Sequence, residues 1–170
     1  MMEQFKGTKK MVLLANLTAV AIVLGLVETL FEISVVPGAK LGLANLVTLV
    51  VLFFFSWKEA YIVTLIRVIM IGLLSGRFEV TFWMGLGGSV LAVGVMSLLK
   101  ALKMGVTLTS LIGSISHQVG QIVVAVLFLD TIEIASYLVI MIPLGIVTGI
   151  LIGIISERFI VHFSRKELSD

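Results

Sequence analysis

Arg67 is the residue whose type and setting most clearly call for chemistry. It lies within Ala60 to Leu74, a stretch that is otherwise uncharged and largely apolar. A charged side chain near a bilayer centre costs roughly 2.5–3.5 kcal/mol on insertion scales, so it normally faces a bundle interior or a watery cavity and pairs with an anion. A guanidinium fork suits phosphate or carboxylate. Arg77, in Ser75-Gly76-Arg77-Phe78-Glu79, and Lys40 are the cations that can join it toward the same half of the membrane. The competing reading of Arg67 is an internal ion pair with Glu28 or Glu32. That of Arg77 is a solvated loop charge.

A second group is Ser116-His117-Gln118-Val119-Gly120-Gln121. His117 and Gln121 are four apart and share one helix face, with Gln118 on the neighbouring face. An imidazole and two amides so close together can hydrogen-bond a ligand. The alternative is interhelical glue, worth around 0.6 kcal/mol per contact. With only two histidines, His162 falling in the polar tail, and no cysteine, no metal site is expected. The third group is the segment from Glu28 to Asn45, interrupted by Val36-Pro37-Gly38. It is too apolar for an ordinary surface loop and too broken for a helix. It reads either as a lid folding over the bundle or as an interfacial loop. Asn45 closes it with a side-chain amide.

These groups need helices to hold them. The chain has 170 residues, 59% hydrophobic and 13% charged, with mean hydropathy +1.22. A soluble domain is nearer half apolar and a quarter charged. An all-α integral membrane protein is therefore expected, as one compact transmembrane domain over 1–170. Charge, Pro and Gly divide it into six spans near 11–27, 41–55, 60–75, 80–99, 109–129 and 134–155, with Pro143 kinking the last. The first span is read as a retained helix, not a signal peptide. With the N-terminus inside, the inner side holds Lys6, Lys9, Lys10, Lys58, Lys100, Lys103, Arg158, Arg165 and Lys166. The outer side holds only Lys40 and Arg77. This asymmetry places both termini in the cytoplasm of a multi-pass cell-membrane protein.

Composition and motifs also exclude functions. A net charge of +2 gives no basis for binding nucleic acid. There is no paired-carboxylate metal motif, no Walker-type glycine loop and no nucleophile with a base at a recognisable spacing. No DDxxD-like run exists to hold magnesium for prenyl transfer. The chain is thus expected to be neither an enzyme nor the holder of a cofactor. Autonomous transporters usually show repeats and more spans, so six short helices suggest one subunit of a larger assembly. Small-residue rows at Ala15/Ala19, Gly85/Gly88 and Gly145/Gly149/Gly153 allow close helix approach, within the chain or to a partner.

Pro37-Gly-Ala-Lys-Leu-Gly-Leu-Ala-Asn45 resembles the signature of small membrane proteins called the Gx transporter family, or heptaprenyl diphosphate synthase component I. Ile66-Arg67-Val68, Leu74-Ser75-Gly76, Ser116 to Gln121 and Ile142-Pro143-Leu144-Gly145-Ile146-Val147-Thr148-Gly149 also fit its pattern, although the family often has Asn where this chain has Gln118. That family in turn resembles the substrate-binding S components of energy-coupling factor (ECF) vitamin transporters. The resemblance implies a six-helix bundle that takes up a small molecule from outside under a lid between helices one and two. It further implies docking on a transmembrane coupling protein, powered by cytoplasmic ATPase subunits, through an alanine-xxx-alanine face that Ala15 and Ala19 match. The expected substrate is small and anionic: isoprenoid-, quinone- or flavin-related. Lys40, Arg67 and Arg77 would hold its charge, and Asn45, His117, Gln118 and Gln121 would supply hydrogen bonds. The rival reading is an accessory or scaffold subunit of polyprenyl diphosphate or quinone biosynthesis, or of a membrane redox system.

The charge asymmetry predicts accessibility. Single cysteines at Ser34 and Thr131 should react with an impermeant thiol reagent on intact cells, and one at Thr8 should not. Equal labelling of all three would disprove the orientation.

Overall fold

The computed structural model describes residues 7–30, 42–76 and 78–167. The described residues form six α-helices: α1 (Thr8–Leu30), α2 (Leu43–Phe54), α3 (Trp57–Ser75), α4 (Val80–Ala101), α5 (Val106–Leu129) and α6 (Leu138–Glu167). A 3₁₀ segment, Ile132–Tyr137, leads into α6. This is the all-α membrane bundle expected from composition. Of the anticipated lid segment, Glu28 to Asn45, the first residues belong to the last turn of α1 and Leu43 to Asn45 to the first turn of α2, so its two ends are helical. The stretch 31–41, with Glu32 and Lys40, lies outside the described residues, and so does Arg77.

Stretches within α1, α4, α5 and the 3₁₀–α6 unit are long and apolar enough to cross a membrane. The other two helices differ for physical reasons. α2 has 12 residues, about 18 Å of helix against a hydrocarbon core of about 30 Å. It is almost wholly enclosed, with Val47, Thr48, Leu49, Val50, Val51 and Leu52 all buried, so its partners are other helices and not lipid. α3 has 19 residues but carries Lys58, Glu59 and Arg67. The last span also departs from expectation: its first residues wind as 3₁₀, and α6 runs on to Glu167, with Pro143 inside a continuous helix.

Local signals set the helix ends. Ser56 caps α3: its hydroxyl oxygen accepts from the Lys58 backbone N–H at 3.2 Å, and its O–H bonds the Glu59 carboxylate. Ser-x-x-Glu at a helix start is a capping-box spacing. Gly76, at φ +66°, closes α3 with its N–H on the Gly72 carbonyl, the left-handed terminus that glycine tolerates best.

Contacts at one end of the bundle show the topology. Lys10 of α1 pairs with Glu59 of α3. Lys100, ending α4, donates to the carbonyls of Leu52 (2.5 Å) and Phe55 (3.3 Å), satisfying the end of α2. Phe54 meets Phe163 of α6 at 5.5 Å between ring centroids, and Thr107 of α5 donates to Glu157 at 2.5 Å. The start of α1 and the end of α6 therefore share one end, together with Lys58, Lys103 and Arg158. Six alternating helices produce that result.

Between helices in lipid the hydrophobic effect has little purchase, and close packing of small residues takes its place. A methyl at Gly88 of α4 would stand 2.7 Å from the His117 carbonyl of α5, and one at Gly149 of α6 would stand 3.0 Å from the Leu111 Cα. Gly145 and Gly153 face α5 in the same way. These rows serve packing within the chain. Gly85 is different, since a methyl there meets nothing within 4 Å. Gly149→Leu should therefore force α5 and α6 apart and cost about 1–3 kcal/mol. Gly85→Ala should leave stability unchanged or slightly raised. Thermal melts of both variants in detergent check the contrast; equal melting temperatures would contradict it.

Candidate binding site

At the end away from the chain termini, five helices surround a cavity of about 70 Å³, room for several water molecules or a compact polar group. Arg67 lies on α3 ten residues after Trp57, about 15 Å along the helix, and is 4% exposed. It holds the first turn of one neighbouring helix and the side of another. One guanidinium nitrogen donates to Asn45 Oδ1 of α2 at 3.2 Å, and the other terminal nitrogen donates to Ser89 Oγ of α4 at 3.2 Å. These two bonds fix the plane of the guanidinium.

Glu28, at the end of α1, completes the charged part. It is 5% exposed. Its carboxylate accepts from the backbone N–H of Leu43, the first residue of α2, and its charge acts on Arg67 through space. A carboxylate at a helix N-terminus satisfies an orphan donor and complements the dipole. Glu28 thus ties α1 to α2 on either side of 31–41 while balancing Arg67.

His117 and Gln121 of α5 line the same cavity, one turn apart on one face. Gly88 makes this possible: a methyl there would stand 2.7 Å from Gln121 Cγ and 3.1 Å from His117 Cε1. Thr29, Ser75 and Thr81 also line it. The hydroxyls of Thr29 and Ser75 donate to the Leu26 and Ile71 carbonyls of their own helices at 2.7 Å. Val68, Ile71 and Phe82 form the apolar side. The arrangement combines a buried fixed cation, neutral amide and hydroxyl groups, and one carboxylate already engaged in structure. It is suited to holding a small polar group by charge and hydrogen bonds.

Of the residues singled out in the sequence, Asn45, Arg67, His117 and Gln121 converge on the cavity. Gln118 is buried at 4% exposure against Gly145 of α6, apart from the lining. Lys40 and Arg77 lie outside the described residues. Ala15 and Ala19 are exposed on α1. The expected rival for Arg67, an internal charge partner, is present as Glu28, and it coexists with the hydrogen bonds to Asn45 and Ser89. Ser89 and Phe82 were not foreseen. Their signal was available: Phe82, Gly85 and Ser89 fall at i, i+3 and i+7 of α4, one face of the helix.

The sequence model for heptaprenyl diphosphate synthase component I matches residues 17–159. The chain belongs to that family. No curated protein and no solved structure matches it. The matched region spans every residue lining the cavity. Ala19 falls within the match and Ala15 before it.

The charge balance makes a definite prediction. Arg67→Gln should leave Glu28 buried without its counter-charge and destabilise the fold by about 3–5 kcal/mol. Adding Glu28→Gln should restore much of that loss. Denaturation of the single and double variants in detergent measures the coupling; strictly additive losses would show that the two charges act independently.

Proposed function

We propose that this membrane protein is a substrate-binding subunit, resembling the S component of an ECF-type uptake system. In this reading it captures a small, anionic, isoprenoid-, quinone- or flavin-related molecule. The observation that carries the reading is Arg67, a buried cation held open to a cavity by Asn45 and Ser89. The cavity lies at the end opposite the Lys- and Arg-rich end. If that basic end is cytoplasmic, as the positive-inside rule implies, the cavity is reached from outside. Binding is favoured over catalysis because the lining carboxylate, Glu28, is already committed to Leu43 and Arg67. Ala15 and Ala19 present small side chains outward on α1, as docking on a transmembrane coupling protein would require. Separate ATPase subunits would then supply the energy.

The family's description supports a second reading: a membrane component that accompanies a prenyl diphosphate synthase. There the chain would scaffold a lipid-handling enzyme, and the cavity would hold a head group of its substrate or product. Gentle purification followed by mass spectrometry of ligand and partners separates the two. The transport reading expects a coupling protein, ATPase subunits and a trapped small molecule, with partner recovery lost in Ala15→Leu or Ala19→Leu while the melt is retained. Recovery of a soluble synthase instead supports the second reading. For the trapped ligand, Arg67→Lys should weaken binding although charge is kept, because the planar fork is lost. His117→Ala and Gln121→Ala should each cost about 1–3 kcal/mol. Full affinity in a folded Arg67→Gln protein would remove Arg67 from the binding site.

A further inference from the structure

The cavity is small, yet its apolar wall does not end where the cavity does. Phe82 lines it, seated over α3 in a slot that only glycine leaves: a methyl at Gly72 would stand 2.8 Å from the Phe82 ring. From Phe82 the aromatic contacts continue outward. Its ring centroid is 4.9 Å from that of Phe78 and 5.3 Å from that of Trp83, and Trp83 stacks on Phe128 of α5 at 6.0 Å and 20° between planes. Phe78, Trp83 and Phe128 are 49%, 43% and 55% exposed. A continuous aromatic strip therefore leads from the cavity wall to the bundle's outer surface. Pockets that enclose a whole drug-sized ligand run to roughly 300–1,000 Å³, and this one holds about 70 Å³. There is space beside Arg67 for a head group alone.

We infer that the ligand is an amphiphile, with an anionic head beside Arg67 and a hydrocarbon chain leaving past Phe82 along Trp83 and Phe128. This rests on the binding-subunit reading and gives its substrate a chemical class: a single-chain anion that is gathered from the membrane and not a wholly water-soluble one. Rings of this kind also occur as interfacial belts that anchor a protein in the headgroup region, and the test is built to tell the two apart.

Trp57 and Trp83 are the two tryptophans of the chain, so Trp57→Phe leaves Trp83 as a single reporter. The full-length variant in nanodiscs is titrated with farnesyl phosphate, methyl phosphate and farnesol. Farnesyl phosphate should bind at least tenfold more tightly than methyl phosphate and change Trp83 fluorescence, which methyl phosphate should not. Phe128→Leu should weaken farnesyl phosphate about three- to tenfold, the range for one lost aromatic contact, and leave methyl phosphate binding unchanged. Because Phe128 is exposed, that variant should fold normally. Equal affinity for the two phosphates with a silent Trp83 would overturn the inference while sparing the head-group site. A Trp83 response that farnesol reproduces, or that persists in Arg67→Gln, would mean an interfacial belt and would overturn it too. No binding of either phosphate to the unaltered site would remove the anion-binding reading and the inference together.

Discussion

A guanidinium inside a membrane bundle dictates much of what surrounds it. Arg67 has left water and cannot shed its charge as readily as a lysine, so its neighbours must supply both acceptors and a counter-charge. Asn45 and Ser89 provide the acceptors, and Glu28 provides the charge. These come from three other helices, α1, α2 and α4. Satisfying one side chain therefore fixes the relative placement of four helices at the cavity. Glu28 is doubly used, because the same carboxylate receives the first N–H of α2. The electrostatics of the site and the joining of α1 to α2 are one arrangement.

The other side of the cavity is held differently. α4, α5 and α6 are drawn together by glycines that let backbone meet backbone, at Gly88, Gly120, Gly149 and Gly153. Close approach there presents His117 and Gln121 to the cavity at a fixed depth. The N-terminal helices contribute charge and the C-terminal helices contribute rigid shape. The cavity lies where the two sets meet, with Arg67 to Ser89 as a hydrogen bond across the seam. Under the proposed reading, the anion-suited pocket and the aromatic strip would serve the handling of an amphiphilic anion at the membrane. Uptake and assistance to a prenyl synthase both begin with that step.

Much of this was legible in the residue order. Composition alone required a membrane bundle, since so apolar a chain cannot be covered by its own few charged residues. Charge and glycine interruptions marked six helices, and Arg67 and the His117–Gln121 pair marked residues that line the cavity. Helix ends were less legible. The extension of α6 to Glu167 is accompanied by contacts of Phe54 with Phe159 and Phe163, which hydropathy does not register.

Sequence by itself determined which residues share a helix face, because 3.6-residue periodicity is a local property. It did not determine what each face meets. Gln118 differs from His117 by one position, or about 100° of rotation, and that rotation carries it to Gly145 of α6 and away from the cavity. Ser89 is an ordinary serine in its own helix until Arg67, 22 residues earlier, donates to it. The rotation of each helix about its axis is set by where small residues allow neighbours to approach. Those neighbours are distant in the chain, so only the assembled bundle decides which polar groups face one another and which are left as packing.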